Sequence, residues 1–231
     1  METANFRFAS VLAWMPRITF LCLCSVLSNP AFAVGTAAGT LIENTASVNY
    51  ELAGTPLTLQ SNTTTIAVAE RIDVTVTLQS PQTPVAPDET GRALLFTVTN
   101  TGNGTEAFQL LIDSVIAGDD FDPIPAVPAI YFDTDGSGDF NTGDQPYTPG
   151  VNDPDLLADE SVSVFLVNDI PGGLANGQIG RSELTATSAT GTGTPGTVYA
   201  GQGDGGVNAV IGLSGGEAID TGEYLVSDVL I

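Results

Sequence analysis

Beyond residue 33, apolar and polar positions alternate in short runs, and no window carries apolar residues at helical spacing for more than a turn or so. The clearest runs cover 40–52, 57–69, 72–79, 93–100, 106–113, 161–168, 180–189 and 223–231. They are rich in Val, Thr, Ile and Phe, and clusters of Gly, Asn, Asp and Pro separate them, so each is expected to be a strand. In Leu94-Leu-Phe-Thr-Val-Thr99, Phe96 and Val98 fall on one face and Thr97 and Thr99 on the other. Residues 161–168 repeat the pattern, with Val162, Val164 and Leu166 opposite Ser163, Phe165 and Val167. Short half-buried strands at this spacing predict an all-β protein, an Ig-like β-sandwich.

Turn residues set the expected organisation. Asn100-Thr-Gly-Asn-Gly104 offers the residues that tolerate positive φ, so 93–113 is expected to form a β-hairpin. Residues 34–69 predict an N-terminal hairpin unit turning at Gly54-Thr-Pro56. A lone hairpin is marginal in water, so this unit is expected to pack on the next domain or on another chain. Residues 70–190 carry enough strands for the sandwich, 191–206 read as a Gly/Thr-rich loop, and 207–231 offer two C-terminal strands. Glu223-Tyr-Leu-Val-Ser-Asp-Val-Leu-Ile231 is apolar to its last residue. It predicts a final strand docked into the sandwich or, alternatively, an edge open to β-strand addition by a partner.

Residues 1–33 are set apart. Arg7 and Arg17 precede an apolar run of ten residues, Ile18 to Leu27, followed by Asn29-Pro30 and Ala31-Phe-Ala33. The run is shorter than the roughly 20 residues a spanning helix needs. The pattern predicts a signal peptide rather than a membrane anchor, and hence a secreted, extracellular or envelope protein.

Removal of that segment takes both cysteines, both methionines and Trp14. The chain has no His and no Lys, so residues 34–231 set three arginines (Arg71, Arg92, Arg181) against 26 acidic residues, a net charge of −23. Such a surface repels phosphates, which excludes nucleic acid as a partner. Without His, Cys or Lys, a Ser-His-Asp triad, a cysteine nucleophile, a His-based zinc site and a lysine Schiff base are all impossible. The expectation is a non-enzymatic protein with no small-molecule cofactor.

One segment carries chemistry. Asp133-Thr-Asp-Gly-Ser-Gly-Asp-Phe-Asn-Thr-Gly-Asp144 follows the spacing of a 12-residue calcium loop. Asp133, Asp135 and Ser137 stand at positions 1, 3 and 5, and Gly138 holds position 6, where the loop turns sharply. Asp139 ligates through its carbonyl, Asn141 through water, and Asp144 closes the set. The flanks Ile130-Tyr-Phe132 and Gln145-Pro-Tyr-Thr-Pro149 do not suit helices, so a calcium loop in a β context is expected. With Asp in place of the closing Glu, the expected Kd is weak, on the order of 10⁻⁴ to 10⁻³ M. The competing reading is a solvated Asp/Gly turn without an ion. Twelve acidic residues and no basic one between Asp119 and Asp169 favour the cation. Asp119-Asp-Phe-Asp122 and Asn152-Asp-Pro-Asp155 are weaker candidates for a further ligand.

Three motifs carry a family likeness: Ala38-Gly-Thr-Leu-Ile-Glu-Asn-Thr-Ala-Ser-Val-Asn-Tyr50 with Gln60-Ser-Asn-Thr-Thr-Thr65, Phe96-Thr-Val-Thr-Asn-Thr-Gly-Asn-Gly104, and Ile130-Tyr-Phe-Asp-Thr-Asp-Gly136. They resemble the signatures of the conserved-repeat family of Ig-like domains in bacterial surface proteins, over most of residues 38–200. The resemblance implies an extracellular structural or adhesive module, here rigidified by calcium. It also implies partners among other envelope or surface proteins, or adjacent repeats of a longer chain of which this is a truncated member. Two alternatives stay open. Tyr131, Phe132, Phe140 and Tyr147 near the acidic loop could form the platform of a carbohydrate-binding module. A pair of carboxylates could serve a glycoside hydrolase.

Overall fold

The computed structural model describes residues 35–227. The expected signal peptide and the last four residues lie outside the described residues. The protein is all-β. No helix among the described residues is long and apolar enough to cross a membrane.

The chain opens with a long hairpin. Strands β1 (Leu41–Asn44), β2 (Ser47–Leu52), β3 (Thr55–Gln60) and β4 (Thr64–Ala67) form two antiparallel pairs, β1 with β4 and β2 with β3. The turn falls at Ala53-Gly54, with φ of 51° and 80°, one residue earlier than the sequence suggests. Two positive-φ residues in a two-residue loop match the twist of the flanking strands, and Thr55 and Pro56 are thereby released into β3. Every residue of the four strands is exposed, so the arm does not pack on the next domain as expected. Only its base is tied. Asn103 donates from Nδ2 to the carbonyls of Thr36 and Ala69, and the N–H of Ala38 donates to the Asn103 carbonyl.

The remaining strands are β5 (Glu70–Ile72), β6 (Val74–Leu78), β7 (Thr83–Val85), β8 (Arg92–Asn100), β9 (Glu106–Asp113) and β10 (Ile124–Phe132). They continue with β11 (Gln145–Pro146), β12 (Asp155–Leu156), β13 (Ser161–Asp169), β14 (Ile179–Ser188), β15 (Val198–Tyr199), β16 (Ala209–Ile211) and β17 (Glu217–Val226). One five-stranded sheet has the order β11-β10-β13-β8-β6 and the other β12-β9-β14-β17-β7. A single core joins them, in which Leu94, Phe96 and Val98 meet Phe108, Leu184 and Tyr224, all fully buried. Each large side chain buried this way stabilises the fold by roughly 2 kcal/mol relative to exposure. The molecule is an Ig-like β-sandwich.

Three expectations change here. The run 93–113 is not a hairpin, because β8 pairs with β6 and β13 while β9 pairs with β12 and β14. The two strands turn their apolar faces toward each other across the core, and the Asn100–Gly104 segment crosses the roughly 10 Å between stacked sheets. Asn100 holds that crossing, donating from Nδ2 to the carbonyls of Gly104 and Leu156 while its Oδ1 accepts from the Gly102 N–H. Second, 191–206 is not a plain loop. It contains β15, and β15-β16-β5 form a small third sheet in which β16 runs parallel to β5. Third, the sandwich does not stop at residue 190: β17 lies between β14 and β7, inside the second sheet. The C-terminal run is thus docked into the sandwich, as one of the two expectations had it, with β7 covering its second side at Tyr224–Val226.

Candidate metal centre

The acidic loop is held at both ends by strands. Phe132 ends β10, and β11 returns antiparallel to it, pairing Tyr131 with Pro146 and Phe132 with Gln145. The 133–144 segment is thus the loop of a β-hairpin, the β context its flanking residues predict. Phe140 projects from the loop onto the outer face of the first sheet. Its ring stands edge-on to Tyr131 at 4.9 Å and to Phe165 at 5.8 Å. This contact covers Phe165, which is buried along with Val164 and Leu166 where a half-buried strand was expected.

Inside the loop the carboxylates of Asp133, Asp135 and Asp144 converge, with one oxygen of each within 4.8 Å of the others. Among the described residues this is the acidic group that could hold a metal ion. Gly138 adopts φ 72°, the left-handed turn that position 6 demands. Asp133 receives the N–H of Ser137 on Oδ1 (3.1 Å) and that of Gly138 on Oδ2 (3.0 Å). The Asn141 amide nitrogen stands among three of the expected ligands: Asp135 Oδ2 at 3.1 Å, Ser137 Oγ at 3.2 Å and the Asp139 carbonyl at 3.0 Å. Asp139 thus turns its carbonyl inward, as the spacing predicts. The amide of Asn141 occupies, as a positively polarised donor, the centre on which these oxygens point.

The electrostatics are uneven. The Ser137 hydroxyl and N–H, followed by the Asn141 amide, hold the exposed Asp135 carboxyl below its ordinary value. Asp144 is only 7% exposed. Its Oδ2 accepts from the Asn141 N–H at 2.8 Å, but its Oδ1 is buried with no hydrogen-bond partner. A buried carboxylate oxygen without a donor costs stability unless something positive reaches it. Asp133 and Asp135 bring two more oxygens to the same place, which is the donor set a hard divalent cation takes.

The two weaker acidic segments serve other ends. Asp119 Oδ2 accepts from the Arg181 N–H and Asp120 Oδ2 from the Ile179 N–H, fastening the preceding loop to β14. Asp153 Oδ1 accepts from the Tyr147 hydroxyl at 2.6 Å and from the Gly150 N–H. Burial first, then the Asp153 bond, pushes the Tyr147 hydroxyl up to about 12. Of the four aromatics offered as a carbohydrate platform, Phe132 and Tyr147 belong to the core.

A second group of acids, for which the sequence carries no signal, lies at the base of the arm. Glu70 is 2% exposed, accepts the Asp204 N–H on Oε2, and leaves Oε1 buried without a partner. Burial raises its carboxyl to about 7, with Asp204 and Glu106 adding charge repulsion. Glu106 is satisfied by the Ser188 and Thr190 hydroxyls and the Thr190 N–H. A cavity of about 410 Å³ lies elsewhere, between the Gln79-Ser80-Pro81 turn and the loop residues Gly138, Asp139 and Phe140, floored by Leu95 and Phe165.

No protein-family model matches the chain, and no curated protein matches it. Among solved structures, the ASH/PapD-like domain of human CEP192 (PapD-like domain 7) aligns at 10% identity and a TM-score of 0.25. The alignment covers 67% of this chain and 84% of that one.

Proposed function

We propose that this chain is a non-enzymatic, extracellular structural or adhesive surface module whose 133–144 loop binds Ca²⁺. The observation that carries the reading is that Asp144, whose Oδ1 is buried without a partner, brings its carboxylate together with those of Asp133 and Asp135. Ser137 Oγ, the Asp139 carbonyl and, once its amide turns over, Asn141 Oδ1 complete six oxygens, the lower bound of calcium coordination. The role of the ion is structural. It fastens the loop that carries Phe140, and through Phe140 the cover over β13.

A secreted, envelope or outer-surface location accords with the signal-peptide pattern of residues 1–33. Its partners are other surface proteins or neighbouring repeats of a longer chain. An enzymatic reading has less to stand on: Glu70, the carboxyl raised furthest toward neutrality, is sealed rather than set in a cleft.

Thermal melting of residues 34–231 with chelator and with millimolar Ca²⁺ tests the proposal. The expected result is a saturable rise in Tm that Mg²⁺ does not reproduce. Identical melting in both conditions, with no heat on calorimetric titration, sinks it.

A further inference from the structure

The hairpin arm has a cleanly divided surface. In the β2–β3 ladder Val48 faces Leu59, Tyr50 faces Leu57 and Leu52 faces Thr55, and these six side chains share one face. The opposite face carries Ser47, Asn49 and Glu51 with Pro56, Thr58 and Gln60. An alternation this regular is what a strand shows when one face is to be covered. Yet Val48, Tyr50, Leu52, Leu57 and Leu59 are 37–63% exposed. Ile42 and Ile66, directly opposed in β1–β4, are exposed as well. A two-stranded unit with an uncovered apolar face is marginal by itself.

Charge narrows what can cover it. Residues 35–69 carry two charged side chains, Glu43 and Glu51, whereas residues 70–231 hold 24 acids and three arginines, a net −21. The arm is therefore a long segment on which another strongly anionic molecule can settle with little repulsion. Its two strands run twelve residues from Leu41 to Leu52, up to about 40 Å at roughly 3.3 Å per residue. That reach is several Debye lengths, each about 8 Å at physiological salt. Two copies meeting arm on arm thus keep their charged bodies screened from each other, while a contact through the bodies does not. The face is also self-complementary in kind, aliphatic side chains around a single tyrosine.

We infer that the Val48–Tyr50–Leu52–Leu57–Leu59 face is a self-association surface through which a second copy of this chain docks, apolar face to apolar face. The inference does not depend on the calcium loop. The β2–β3 face is about 20 Å long and two strands wide, which is below the ~800 Å² per partner of a standard specific interface. The dimer is accordingly weak and reversible and, with the two bodies already screened from each other, changes little with added salt.

Sedimentation equilibrium of residues 34–231 tests this between about 10 µM and 1 mM, the range that weak interfaces occupy. The expected result is a monomer–dimer equilibrium that added NaCl changes little. Leu59→Glu abolishes it, whereas Gln60→Glu, the same added charge one residue along on the other face, leaves it within twofold. Because Leu59→Glu also loosens the arm, a second measurement leaves the arm intact. A bis-maleimide cross-linker should join copies carrying Leu57→Cys but not copies carrying Thr58→Cys, in a unit otherwise free of cysteine. A monomer throughout the concentration range overturns the inference and leaves the face to an unlike partner. So does an equal loss in the two glutamate variants, or cross-linking indifferent to the face.

Discussion

Phe140 stands edge-on to Phe165, ring centroids 5.8 Å apart, and so joins the middle of the acidic loop to the central strand of the first sheet. The contact makes loop geometry and sheet cover a single unit. Phe140→Ala is therefore expected to cost about 1–3 kcal/mol of stability, by lost burial and the lost aromatic pair. It should also weaken calcium binding several-fold, because the flanking carbonyl and amide ligands lose their anchor. Urea unfolding with and without Ca²⁺ measures both effects. A variant with reduced stability but an unchanged calcium increment separates the ring from the ion site.

Asp144→Asn should act in opposite directions with and without calcium. Without the ion, the substitution removes a buried charge whose Oδ1 has no donor, while the amide oxygen can keep the bond from the Asn141 N–H. Apo stability is expected to stay equal or rise, since an unpaired buried charge is costly. With calcium, the variant should lose the stabilisation of about 2.7 kcal/mol expected when the ion stands 100-fold above its Kd. Melting curves of both proteins in chelator and in saturating Ca²⁺ give all four values. A fall in apo Tm equal to the calcium effect indicates a merely structural aspartate.

Local features were legible in the sequence and distant pairings were not. The ligand pattern of the loop lies within twelve consecutive residues, so its spacing alone placed Asp133, Asp135 and Asp144 together and Gly138 at the sharp turn. The alternation in β8 and β9 identified their buried faces but could not say whether those faces share a sheet or oppose each other. The Asn100–Gly104 crossing satisfies the same turn preferences either way. β5 and β16 are three residues each and meet across more than 130 positions, too short for any periodicity. The burial of Glu70 follows from that pairing and from the close approach of Gly104 and Gly203, so it had no sequence signal either.

Asn100 is 1% exposed and bonds three backbone groups at the crossing between sheets. Asn100→Ala strands the Gly104 and Leu156 carbonyls and the Gly102 N–H in a dry environment. The expected loss is about 2–4 kcal/mol, since each unsatisfied buried group costs on the order of 1 kcal/mol or more. Asn100→Asp keeps the acceptor but sets a carboxylate oxygen against the Gly104 and Leu156 carbonyls in a buried site, so it should recover none of the loss. Chemical denaturation of the three proteins checks that neither variant approaches wild type.

Stability should also fall with rising pH at the base of the arm. Burial raises the Glu70 carboxyl from its ordinary 4.5 to about 7, and Asp204 and Glu106 repel its charged form. The folded state therefore binds the Glu70 proton more tightly than the unfolded chain does. That contribution is complete below pH 4.5 and is lost as pH rises through 7. Glu70→Gln keeps an oxygen for the Asp204 N–H and cannot ionise, so it should flatten this part of the profile. At pH 8 the variant is expected to be more stable than wild type by on the order of 1 kcal/mol or more, and near pH 4.5 to differ little. Calcium must be held constant across the series. Parallel Tm profiles for the two proteins between pH 5 and 8 would show that Glu70 carries no proton into the folded state.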